Sequence, residues 1–348
     1  MARKLLWGSL ALAPSTILVD KLTGAGDVTL FVLAALPLIP LAWLIGESTE
    51  HAAEHTGPGI GGLLNASFGN APELIVALFA VGANLPDVVR GSLSGSVISN
   101  LLLVYGVTQI AGPDGARIDR RSLLLQIGLV GAAVVAFVAP ATLGYTGPPE
   151  RNAVVVASVP VAVVLLLLYL AAVRWNLRIH RERDQEREEP GEGTWSLATA
   201  LAVLAVTTGV TAWISEILVH SLGAFAEAVG LSEFFIAVVI VAIVGNAAEH
   251  GGAIVIAHNG KMRLATEIAI SSAAQVGLLV VPVVMLLSLF FTHHLALSFR
   301  WTELFAMGGA AVVVAATVWD GTSRRKEGAL LVLAYAAAVV GFLLGGGR

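Results

Sequence analysis

The sequence predicts an all-α polytopic membrane protein of about eleven transmembrane helices. These form an inverted-topology repeat of two five-helix halves preceded by one N-terminal helix. Three observations carry the prediction. Of 348 residues, 57% are hydrophobic and 13% charged, about half the charge of a soluble domain. The charges cluster, leaving apolar runs longer than the ~18 residues at which a helix begins to span a bilayer. A polar motif also recurs at a fixed offset of 176 positions.

Reading the apolar runs in order gives spans at about 5–20, 27–50, 59–84, 86–111, 121–140, 151–173, 195–220, 231–258, 262–290, 300–319 and 328–346. The first is short. Arg3 and Lys4 ahead of it resemble a signal peptide, but no convincing cleavage site stands before Lys21, so a first membrane helix is preferred. A β-barrel would need segments of about ten alternating residues, whereas these runs are longer and apolar all round. Cysteine is absent, which leaves neither a disulfide framework nor a thiolate metal site. A net charge of −4 is too small to imply a nucleic-acid partner. The lipid bilayer is the expected surrounding; a homo-oligomer is compatible with such a chain but not specified by it.

Charge bias tests the span count. With eleven spans, 15 Lys and Arg residues fall on the N-terminal side and 5 on the other. The expected orientation therefore has the N-terminus cytoplasmic and the C-terminus outside. The organisation reads as an N-terminal helix (1–26), a first half (27–173), a charged cytoplasmic linker (174–194) and a second half (195–348). The linker holds an acidic cluster of Glu186, Glu188, Glu189 and Glu192. A solvated connection is the plain reading, and a regulatory cation-binding loop is the sharper one.

The repeat carries the chemistry. Gly69-Asn70-Ala71-Pro72-Glu73 and Gly245-Asn246-Ala247-Ala248-Glu249 are 176 positions apart, as are Ser96 and Ser272, and Ser99 and Gln275. The motifs lie in spans three and eight. Five spans is an odd number, so equivalent helices run in opposite directions. Secondary transporters share this arrangement, with substrate sites at discontinuous helices near the midplane. Glycine weakens a helix, and Pro72 removes a backbone donor. Irregular backbone survives at that depth only where it is buried in protein or lines a cavity.

A carboxylate at a helix centre costs roughly 2.5–3.5 kcal/mol on insertion scales. The chain accepts this twice, at Glu73 and Glu249. Asn70 and Asn246 lie one turn back on the same face, and Ser96/Ser99 and Ser272/Gln275 have i, i+3 spacing. Such oxygen-rich sets suit hard cations, and two carboxylates neutralise one divalent charge. No thiolate or thioether is near, which argues against soft metals.

These segments resemble the Ca²⁺/H⁺ antiporter (CAX) family of the cation/Ca²⁺ exchanger superfamily. The resemblance rests on TEHAAEHTGPGIGGLLNASFGNAPELIVAL (49–78), SGSVISNLLLVYG (94–106), GLSEFFIAVVIVAIVGNAAEHGGAIVIA (230–257) and NGKMRLATEIAISSAAQVGLLVVP (259–282). It implies eleven helices, alternating access, and no enzyme activity or cofactor. Ca²⁺, with Mn²⁺ as a second candidate, would compete with H⁺ at Glu73 and Glu249. Asn70, Asn246, Gly69, Gly245 and backbone carbonyls would assist, with Ser99 and Gln275 beside them. Ser96, Ser272 and His250 would be accessory, as would Glu50 and Glu216, which match family glutamates in helices two and seven. Pro72 departs from many relatives. The short N-terminus suggests a prokaryotic chain, hence an inner membrane.

Other readings stay open. A Na⁺/Ca²⁺ exchanger would share the fold, but Ser99 and Gln275 stand where acids would be expected. His51-Ala52-Ala53-Glu54-His55 matches H-x-x-E-H, an inverted zinc-protease signature, at the end of span two. A polar helix end, or a vestibule that attracts cations near Glu47, Glu50 and Glu54, is the plainer account. A channel is disfavoured by the deep carboxylate pair.

Overall fold

The computed structural model describes residues 2–181 and 195–345. Its order is α1 (Ala2–Ser9), α2 (Leu12–Leu22), α3 (Asp27–Phe68), α4 (Ala71–Gly82), α5 (Pro86–Ala111), α6 (Arg120–Tyr145), α7 (Asn152–Arg181), α8 (Leu197–Val229), α9 (Glu233–Gly245), α10 (Ala247–His258), α11 (Met262–Ser288), α12 (Trp301–Val318) and α13 (Arg325–Gly345). A two-stranded ribbon, β1 (Ala116–Arg117) against β2 (Thr322–Ser323), ties the loops before α6 and α13.

Among the described residues, nine helices are long and apolar enough to cross a membrane, or ten if the bent pair α9–α10 is one span. The expected eleven spans are therefore not all separate helices. α3 covers the second expected span and continues over 59–68, so the third is divided. Its remainder, α4, has 12 residues, about 18 Å, and cannot cross a ~30 Å core by itself. The first residues of the expected linker are helical. Residues 174–181 contain neither Gly nor Pro and prolong α7, and the acidic cluster at 186–192 lies outside the described residues.

The repeat is visible in the backbone. α4 and α10 each have 12 residues and stand 176 positions apart, and α5 and α11 begin at Pro86 and Met262, again 176 apart. Asn70 and Asn246 break the chain in the same conformation, φ −99°, ψ 18° and φ −93°, ψ 4°. The bend at the second break is 55°. Pro72 falls in the first turn of α4, where its missing N–H is unneeded. Both α5 and α11 then widen into π-helical turns, Ser99–Val104 and Val276–Val280. Such turns recur at functional sites.

Small residues set the close approaches. Gly91-Ser92-Leu93-Ser94-Gly95 is a small-xxx-small face pressed on α9. A Cβ at Gly95 would stand 2.2 Å from the Val238 carbonyl oxygen. Gly95→Ala is expected to push α5 off α9 at a cost of about 1–3 kcal/mol, and to move the adjacent Ser96. An unchanged melting temperature of the purified variant would contradict this packing.

At the opposite end of α5 from the ribbon, charges are sequestered. Arg90, 4% exposed, pairs with Glu150 and with Asp87 at 2.9 Å. Asp87 also takes Arg300 at 2.8 Å. Ser94 donates to the buried Glu303 at 2.7 Å, and Glu303 accepts the Arg300 amide at the start of α12. This network joins α5, the α6–α7 loop and the segment before α12.

Candidate ion-binding site

The two breaks and the middles of α5 and α11 meet in one buried region. Glu73 is 6% exposed, in the first turn of α4. Glu249 is half-buried in the first turn of α10. A helix N-terminus favours negative charge. Glu73 packs against Gly245, and a small cavity beside it is lined by Val76, Ser92, Leu93, Ser96 and Val241. The two carboxyls lie near enough to feel each other's charge.

A directed hydrogen-bond chain leads to Glu249. The Asn246 amide donates to Ser96 Oγ (2.8 Å) and to the Ala242 carbonyl (2.9 Å). Asn246 Oδ1 accepts from Asn100 Nδ2 at 3.2 Å. Asn100 Nδ2 also donates to Ser272 Oγ at 2.9 Å. Both donor contacts being spent on that nitrogen, Asn100 Oδ1 accepts from His250 Nε2 at 3.2 Å. Ser272 in turn lies close to the Glu249 carboxyl. In the other half, Asn70 Nδ2 donates to Gln275 Oε1 at 2.7 Å.

Three buried oxygens of the site then have no partner among the described residues: Glu73 Oε2, Glu249 Oε2 and Asn70 Oδ1. All are acceptors, and buried acceptors without a donor are uncommon. The set can hold a proton or a hard cation.

The expected residues are thus mostly assembled. Asn70, Glu73, Ser96, Asn246, Glu249, His250, Ser272 and Gln275 belong to this region, with Gly69 and Gly245 at the breaks. Ser99 is buried nearby, but its hydroxyl donates to the Ser96 carbonyl in its own helix. Glu50 and Glu216 are exposed. Their neighbours Thr49 and Ser215 are fully buried, and the 100° step of a helix turns the glutamates outward. Asn100 is absent from the expected set. It is fully buried, but its place 176 positions on is Val276, so repeat matching does not find it. The available signal was an amide inside an apolar run.

Gln275→Ala would leave the Asn70 amide without its acceptor. A neutral hydrogen bond contributes about 1 kcal/mol, so an apparent cation affinity roughly fivefold weaker is expected. Unchanged affinity and pH dependence would remove Gln275 from the site.

The histidines of the H-x-x-E-H match have other partners. His55 Nε2 donates to the Trp195 carbonyl at 2.6 Å, which occupies that nitrogen with a proton. His51 stacks on the Trp195 ring at 4.6 Å and faces Glu47 at 3.9 Å. Replacing both by alanine is expected to preserve transport. Any rise in the cation concentration required should shrink at high salt, since surface attraction is screened over about 8–10 Å. One zinc per chain, lost in the variant by elemental analysis, would reverse this reading.

The family described as "Sodium/calcium exchanger protein" matches residues 27–178 and 199–344. The chain is 41% identical to the Ca(2+)/H(+) antiporter ChaA of Bacillus subtilis (strain 168), over 91% of this chain and 93% of that protein. It is 35% identical to a Ca(2+)/H(+) antiporter of Synechocystis, over 92% of each. The solved structure of native YfkE superposes with a TM-score of 0.83 at 37% identity, covering 97% of this chain and 98% of that one. The crystal structure of the H+/Ca2+ exchanger CAX gives 0.76 at 16% identity, a likeness of fold. A transporter rather than an enzyme, the chain belongs to the sodium/calcium exchanger protein family and, within it, to the Ca²⁺/H⁺ antiporter (CAX) family.

Proposed function

We propose that this protein exchanges Ca²⁺ for H⁺ across a prokaryotic cell membrane by alternating access. Glu73 and Glu249 bind either the cation or protons. The observation that supports this is the set of partnerless buried oxygens on Glu73, Glu249 and Asn70. Ca²⁺ takes oxygen ligands at 2.3–2.6 Å, including carboxylates, amide oxygens and backbone carbonyls. Two carboxylates cancel its charge, and two protons on the same groups leave the site equally neutral. A site that is ionised and empty carries two negative charges in the membrane and is costly to occlude. Only the loaded states cross between faces, so the exchange is coupled. Two protons per Ca²⁺ is the electroneutral ratio.

The face that carries Lys261, Arg263 and Arg324–Lys326 is cytoplasmic in this reading, and the halves 27–173 and 195–348 rock about the site. The bacterial relatives are named as Ca²⁺/H⁺ antiporters, which favours protons over Na⁺ as the counter-ion. ⁴⁵Ca²⁺ uptake into proteoliposomes under an imposed pH gradient tests the proposal. Uptake that follows the pH gradient and ignores Na⁺ is expected; uptake driven by a Na⁺ gradient alone would overturn it. Unlabelled Mn²⁺ in the same assay ranks it against Ca²⁺.

A further inference from the structure

Beyond the π-helical turn of α5 lies a second buried polar group that the ion site does not use. Tyr105, Thr108 and Gln109 of α5 are fully buried. Among the described residues, Tyr105 Oη, Thr108 Oγ1 and both polar atoms of the Gln109 amide have no hydrogen-bond partner, and neither do Glu327 Oε2 and Tyr335 Oη of α13. Tyr105 and Gln109 are one turn apart on one face. Thr317 of α12 and Gln109 lie close to the Tyr105 hydroxyl, and Glu327 of α13 is near enough for its charge to reach it. α5 and α13 touch through glycines here: a Cβ at Gly328, next to Glu327, would stand 2.9 Å from the Gln109 Cβ.

Left dry, each such group costs about 1–3 kcal/mol. Buried clusters of this kind hold water, each molecule making 2–4 hydrogen bonds. A divalent cation fits less well, because the nearest carboxylate, Glu327, has Arg324 beside it at 3.6 Å. Asp320, paired with Arg324 at 2.7 Å, and Asp114, which accepts the Arg325 amide at 2.8 Å, are the other charges facing Glu327. The Glu327 side chain is 22% exposed, so one edge of the cluster meets solvent on the Arg324 face.

The opposite edge approaches the ion site. Tyr105 directly follows the π-helical turn Ser99–Val104, which begins with Ser99 and Asn100. A π-helical turn inserts a residue and rotates the helix faces on either side of it. Asn100 accordingly meets Asn246 and Ser272, while Tyr105 meets α12 and α13. One helix thus serves two polar compartments.

We propose that Tyr105, Thr108, Gln109 and Glu327 enclose a water-filled chamber through which protons pass from the Arg324 face toward the ion site, by a route separate from the cation's. This rests on proton exchange at Glu73 and Glu249. A proton taken up by Glu327 from solution passes along the water and leaves Glu327 ionised again.

The chain has no cysteine, so single thiols can be placed cleanly. Gln109→Cys is expected to react with methanethiosulfonate ethylammonium, whose sulfenyl sulfur is attacked by a hydrated thiolate to form a mixed disulfide with loss of methanesulfinate, while Leu101→Cys, fully buried in the same helix, stays inert. If Gln109→Cys does not fold, Thr108→Cys replaces it. A thiol at position 109 or 108 of a folded variant that is as inert as the one at position 101 would overturn the chamber. In proteoliposomes, Glu327→Gln is expected to slow Ca²⁺/H⁺ exchange several-fold when protons on the Arg324 face are limiting, with Glu327→Asp restoring it. Wild-type rates for Glu327→Gln at every pH on that face would overturn the proton route. Normal transport by Glu73→Gln would instead remove the ion-site reading and leave the thiol result standing, so the two failures are distinguishable.

Discussion

Glu73→Gln and Glu249→Gln are each expected to abolish Ca²⁺/H⁺ exchange while the protein stays folded. Glutamine keeps the volume and one acceptor oxygen. It loses the charge that cancels half of Ca²⁺ and the group that carries a proton. Each glutamate has an oxygen with no internal donor, so substitution breaks no hydrogen bond at that atom and folding should survive. The variants should elute and melt like the wild type. Near-normal pH-driven ⁴⁵Ca²⁺ transport by either would remove the central assignment. The loss should far exceed the roughly fivefold change expected from a lost neutral hydrogen bond at Gln275, whose amide oxygen serves Asn70 and bears no charge.

Arg90→Met is expected to destabilise the fold by about 3 kcal/mol, because removing one partner of a buried ion pair leaves the other uncompensated. Arg90 binds Glu150, Asp87 and Ser298. Glu150 also accepts the Ala296 amide, so its stranded charge would loosen the segment leading to α12. A melting temperature several degrees lower is expected. Arg90→Met combined with Glu150→Gln should recover much of the loss. If the single variant melts like wild type, the network is ornamental to stability.

The membrane class, the repeat and both breaks were legible in the sequence because each is written as composition or spacing. Apolar runs mark spans, and a five-residue motif repeated at 176 positions marks paired sites. The boundaries of α3 and α4 were less legible. Residues 50–59 carry charge and a Gly-Pro pair, which reads as a loop, yet the helix runs on to Phe68. Asn100 was invisible to repeat matching because the network around Glu249 is asymmetric. Glu50 and Glu216 were placed by resemblance, which gives position along a helix but not the face. The pairing of Arg90 with Glu150, 60 residues away, depends on tertiary packing that no local pattern encodes.

Competition between Ca²⁺ and protons for one pair of carboxyls is tested most directly by equilibrium Ca²⁺ binding to the purified protein at a series of pH values. Shared groups require that apparent Ca²⁺ affinity fall steadily as the pH is lowered, and that Glu249→Gln bind weakly with a shallower pH slope. Ca²⁺ affinity in the wild type that is independent of pH across about pH 6 to 8, or a slope unchanged in Glu249→Gln, would contradict it.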